Sequence, residues 1–72
     1  MGKHMDNYEW QRRGSTVRGD ASDRGAALNL ARAFAEKDHA PVTLLRIVAS
    51  PGRGIHREKV GEVWPLAWAR AA

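Results

Sequence analysis

"RGAALNLARAFAEKDHAPVTLLRIVA", residues 24–49, joins two hydrophobic periods across one proline. In its first half Ala27, Leu30, Ala31 and Phe34 fall at i, i+3, i+4 and i+7, one apolar stripe of helical spacing. Arg24, Asn29, Arg32 and Glu36 face away from that stripe. Ala makes up much of the segment, so helix propensity is high and the surface can lie close to a sheet. The predicted helix runs from Arg24 to about Asp38, since Pro41 cannot continue it and disfavours α geometry at Ala40. Just upstream, Asp20, Ser22 and Asp23 each offer an oxygen that can accept a free helical N–H. In the second half, "VTLLRIVA" (Val42–Ala49) is apolar on both faces apart from Thr43 and Arg46. It reads as a central strand, with Leu45 and Ile47 on its more apolar side.

Downstream, "SPGRG" (Ser50–Gly54) puts Pro51 and Gly52 at the second and third positions of a type II turn. "IHREKVGEVW" (Ile55–Trp64) then returns as a more polar strand, with Gly61 a bulge or point of close approach. Upstream, "YEWQRR" (Tyr8–Arg13) alternates Tyr8 and Trp10 against Glu9, Gln11 and Arg13, the pattern of a half-buried strand. "GSTVRGDASD" (Gly14–Asp23) is rich in Gly, Ser and Asp and reads as a loop. The expected fold is α+β: one helix packed on a three-stranded, mainly antiparallel sheet in the order β-α-β-β, with a short C-terminal appendage. Its expected core is Tyr8, Trp10, Leu30, Phe34, Leu45, Ile47 and Val60. The chain divides into a flexible N-terminus (1–7), one α+β domain (8–64) and a tail (65–72).

Size and composition narrow the function. Seventy-two residues make one domain, close to the size at which a single core only just suffices. With no Cys, neither disulfides nor thiolate metal sites reinforce it. The longest apolar run, "PVTLLRIVA" (residues 41–49), is too short to span a bilayer and carries Arg46. Residues 1–20 have no continuous apolar stretch of the kind a signal peptide needs. The expectation is a soluble, cytoplasmic chain without a membrane partner. The net charge is +4, with six Lys or Arg against five acids in residues 1–36 and six against three in residues 37–72. That balance favours acidic partners, either nucleic acid or an acidic protein surface.

Motifs for catalysis are missing. His4, His39 and His56 lie too far apart for the local spacing of a zinc site, so no metal is expected. Ser15, Ser22 and Ser50 fall in turn-like segments without a nucleophile motif around them. "PGRG" joins two strands and lacks the helix and Lys of a phosphate loop. "RGD" (Arg18–Asp20) matches the tripeptide that integrins recognise, but nine Arg and seven Gly make a chance match the simpler account. The chain reads as a non-enzyme that uses no cofactor.

Binding is what remains. Arg53 at the hairpin tip, His56, Arg57 and Lys59 on its second strand and Arg46 on its first would form a basic ribbon, extended by Arg12 and Arg13. Such a ribbon can enter a DNA groove. Glu58 and Glu62 interrupt it, and no aromatics are interleaved for stacking. In the tail, Pro65 suits the first position of a helix, and "PLAWARAA" would then place Trp64 and Trp68 four residues apart. Trp64 is expected to complete a core short of apolar mass. For Trp68 two readings stay open, core docking or an exposed anchor for another protein. The second makes Leu66, Trp68 and Arg70 the protein-binding residues.

In length, Arg-rich basic character and lack of enzymatic motifs, the chain resembles small phage-encoded regulators that bind host RNA polymerase. That resemblance implies a partner in the transcription machinery and an inhibitory or antitermination role. It rests on no motif and therefore assigns no residue. The expected function is that of a small basic regulator that docks onto another protein. The alternatives are direct DNA or RNA binding through the hairpin, and a homodimer built on the tail or an open sheet edge.

Overall fold

A computed structural model of the chain describes residues 6–71, with side chains as far as Trp68. The elements in order are β1 (Asp6–Arg12), β2 (Ser15–Ala21), α1 (Arg24–Asp38), β3 (Val42–Ser50), β4 (Gly54–Val63) and α2 (Leu66–Ala71). All strand pairs are antiparallel and the sheet order is β2-β1-β3-β4. The fold is α+β with one main helix, but the sheet has four strands, not three. Two hairpins lie side by side, and α1 carries the chain from the outer strand of one to the inner strand of the other.

The fourth strand is β2, in the stretch expected to be a loop. Its seven residues pair in unbroken register with β1, closed by a two-residue turn in which Gly14 takes φ 74°. The face it turns to the core carries Val17, Gly19 and Ala21, and at Gly19 the Trp10 ring leaves little room for a side chain. A Cβ at Gly19 would stand 3.3 Å from Trp10 Cζ3. β1 also begins earlier than expected, taking in Asp6 and Asn7. The remaining residues of the expected flexible N-terminus, including His4, lie outside the described residues.

Trp10 is the centre of the core. It is fully buried and donates its indole Nε1–H to the Ala27 carbonyl of α1 at 3.0 Å. Burying an indole of roughly 200 Å² at about 25 cal/mol per Å² contributes on the order of 5 kcal/mol. Helix α1 meets this ring through Ala27, Ala31 and Ala35, each with no exposed surface. Only methyl side chains allow that approach, so the helix turns slightly from its expected stripe. Leu30 consequently lies at the margin, 42% exposed, while Leu28 and Phe34 flank the core. Asp23 caps the helix, its Oδ1 accepting from Ala26 N at 2.8 Å. At the other end His39 adopts the left-handed conformation (φ 52°), its N–H and that of Ala40 both donating to Ala35 O.

In β3 the face directed at the core is Val42 and Leu44, not Leu45 and Ile47. Because β3 is apolar on both sides, its local sequence leaves the choice open. The register decides it: Leu44 pairs with Trp10, whereas Leu45 pairs with Glu9 on the opposite face. Val60 packs at the core margin, beside a register irregularity between Leu44 and Leu45 that adds one residue to β4. The β3–β4 turn has the expected form, with Gly52 at φ 79° and Arg53 N–H donating to Ser50 O at 3.1 Å.

Candidate docking surface

The sheet turns one face to α1 and leaves the other open. At the centre of the open face is Glu9, a carboxylate only 4% exposed. Gln11 donates Nε2–H to its Oε2 at 3.1 Å, while Arg18 and Arg57 both donate Nε–H to its Oε1, at 3.1 and 3.2 Å. Those donors favour the ionised form, the Gln11 bond most, and outweigh the upward push of burial. The Glu9 pKa is therefore held below the usual carboxylate value.

The basic residues proposed for nucleic acid do not converge. Arg12 lies on the α1 side, in a two-pronged ion pair with Asp38 (2.8 and 2.7 Å) and over the Phe34 ring at 4.3 Å. Arg46 shares that face, opposite Tyr8, and lies between Asp6 (3.7 Å) and Glu58 (3.9 Å). Arg57 and Lys59 belong to the open face, the first committed to Glu9. Arg13 and Arg53 occupy turns at opposite ends of the sheet. The continuous basic ribbon foreseen from the sequence is thus divided between two faces and two ends, and three of its members, Arg12, Arg46 and Arg57, are paired with acids.

The tail has the opposite character. Trp64 does not complete the core: it is 51% exposed, and the side chain buried there is Pro65. Pro65 lies between β4 and α2 and is fully buried. Helix α2 follows, its first amide (Leu66 N–H) donating to Glu36 Oε2 of α1 at 2.6 Å and Trp68 N–H donating to Pro65 O at 3.0 Å. Trp64 and Trp68 pack against each other in a tilted arrangement, with ring centroids 5.3 Å apart and planes inclined by 56°. Leu66 is 52% and Trp68 44% exposed, so three large apolar side chains share one small segment. Trp68 also closes one side of a groove of about 370 Å³ lined by Gln11, Arg12, Arg13, Ala40 and Pro41. Arg70 lies in α2, but its side chain is outside the described residues.

Several contributors were not anticipated. Glu36 fastens α2 and Asp38 holds Arg12 against Phe34. Glu36 lies on the solvent face of α1 as expected, and only the path of the tail brings Leu66 to it. Glu9 lies on the polar side of β1 as expected, but its arginine partners come from β2 and, across β3, from β4.

Among the described residues no group of His, Asp or Glu is placed to hold a metal ion, and no helix is long and apolar enough to cross a membrane. Comparisons with protein families, curated proteins and solved structures find no match to this chain.

Proposed function

We propose that this protein is a non-enzymatic regulatory module that docks onto another protein through its C-terminal segment. The observation that carries the reading is the exposed cluster Trp64, Leu66 and Trp68 on a segment held to the body by Pro65 and Glu36. Large aromatic side chains presented on a fixed support lose little entropy on binding, and Trp is among the residues that most often dominate interface energy. Leu66 and Trp68 form the contact, and Arg70, two residues on in the sequence, is the third residue assigned to it. The transcription machinery is the first partner to try, because the resemblance to phage regulators of host RNA polymerase names it. Inhibition and antitermination are the two outcomes to score.

The test is binding of the full chain to purified bacterial RNA polymerase, repeated with Trp68→Ala. Loss of binding with an unchanged thermal midpoint supports docking through the tail. A large fall in the midpoint would instead make Trp68 part of the folding core and remove the basis for the reading. Binding to random duplex DNA that weakens steeply with salt would transfer the assignment to nucleic acid.

A further inference from the structure

A four-stranded open sheet has two free edges, and this protein treats them differently. β4 is interrupted by its register irregularity and carries His56, Arg57, Glu58 and Lys59 in succession. Bulges and charge of this kind discourage pairing with another strand. β2 is less protected: its register is unbroken from Ser15 to Ala21, it contains neither Pro nor Lys, and its two charges, Arg18 and Asp20, are of opposite sign. The two-residue turn makes Arg12 and Ser15 a hydrogen-bonded pair, and the antiparallel alternation then directs the N–H and C=O of Thr16, Arg18 and Asp20 away from β1.

We propose that β2 pairs with β2 of a second copy of this chain, antiparallel about a two-fold axis at Gly19. The sequence around Gly19 is self-complementary in that register. Arg18 lies directly opposite the partner's Asp20, and Asp20 opposite the partner's Arg18, on the open face of both sheets. Asp20 has no ion-pair partner of its own among the described residues. Arg18 uses only Nε on Glu9 and is 63% exposed at its side chain, so its terminal nitrogens remain for a second carboxylate. On the α1 face Val17 meets the partner's Ala21, and at the axis Gly19 meets the partner's Gly19 with no side chain to separate the strands. Moving the axis to residue 18 would set Arg18 against the partner's Arg18, and moving it to residue 17 would leave Asp20 without a cation. Charge therefore selects both the occupant and the register.

The new pairing adds a second wall to the groove of about 660 Å³ between β2 and α1, where Ala21, Ala26, Leu30 and Ala33 present apolar surface. It makes one eight-stranded sheet with both helices on one side and leaves the Trp-bearing tails free. The inference is independent of the docking function proposed for those tails.

Sedimentation velocity across a concentration series tests it, together with amide hydrogen exchange. The expected result is a concentration-dependent dimer in which the Arg18 and Asp20 amides gain protection as the dimer fills. Asp20→Lys replaces two attractive contacts by two repulsive ones and should raise the dissociation constant by about tenfold or more. Asp20→Glu should retain the dimer. Trp68→Ala should leave it unchanged, which separates this interface from the tail. A monomer at all concentrations overturns the proposal. So does a dimer that ignores Asp20→Lys, or one that dissociates on Trp68→Ala.

Discussion

Replacing Gly19 by Ala tests the packing of β2 over Trp10, on which the four-stranded sheet depends. The added Cβ would sit 3.3 Å from Trp10 Cζ3 and 3.8 Å from Cη2. Carbon atoms prefer separations of about 3.5–4.0 Å, so something must give way. The indole is badly placed to move, being fully buried, bonded to Ala27 O and flanked by the rings of Tyr8 and Phe34 at 6.1 and 6.2 Å. Overpacking of this kind costs about 1–3 kcal/mol. Against it, Ala in a strand interior recovers about 0.5–1 kcal/mol of the backbone entropy that Gly loses on folding. The balance is a destabilisation on the order of 1 kcal/mol, larger for Gly19→Val. Gly61→Ala is the control: nothing lies within 4 Å of its Cβ, so the entropy gain stands alone. The same chemical change thus has opposite signs at the two sites. Urea unfolding followed by circular dichroism measures both, and with a slope of about 1 kcal/mol per M each kcal/mol moves the midpoint by roughly 1 M. If Gly19→Ala raises the midpoint as Gly61→Ala does, Trp10 is not packed beneath β2, and the reading of that segment as a core strand is wrong.

Three further outcomes are expected. Asp23→Ala removes the cap of α1 and should lower stability by about 1 kcal/mol in the same urea assay. His39→Gly relieves a left-handed backbone that a side chain disfavours, and should raise stability by about 0.5–1 kcal/mol. The third concerns pH. The bond from Arg12 holds the Asp38 carboxyl below its usual value, and Glu9 is lowered as well, chiefly by Gln11. A carboxylate lowered by folding contributes stability that is complete above its unfolded pKa of about 4 and is lost as pH falls through the folded value. The thermal midpoint should therefore fall below about pH 4, and Asp38→Asn should flatten part of that decline while lowering the midpoint at neutral pH. A profile identical to that of the parent chain would show that Asp38 and Arg12 are not paired.

The helix was legible because each of its signals is local: the Ala27, Ala31 and Phe34 spacing, the Asp23 cap and the stop at Pro41. The type II turn was legible for the same reason, since Pro51 and Gly52 carry its dihedral requirements themselves. β2 was not, because Gly19 is kept bare to suit a ring on the neighbouring strand, and that gap breaks the apolar alternation between Val17 and Ala21. Leu45 and Ile47 were misplaced for a related reason. When both sides of a strand are apolar, only its register against Trp10 decides which side is inner. Trp64 is expected inward because the core looks short of apolar mass, but the all-Ala face of α1 brings the helix so close to the sheet that one indole fills the space. Of the tail, the break at Pro65 was visible; that proline itself would be the buried residue was not. The basic ribbon failed because alternation along β3 and β4 sends Arg46 and Arg57 to opposite faces, each to a different acid.

The unequal burial of the three tryptophans makes the chain its own spectroscopic reporter. Trp10 is fully buried in the core beneath the helix, whereas Trp64 and Trp68 are half in solvent. Emission from the first should lie to the blue of the other two. Unfolding shifts the blue component to the red, and a partner that covers the tail shifts the red component to the blue. One emission spectrum of the unlabelled protein can therefore separate loss of the core from occupation of the tail.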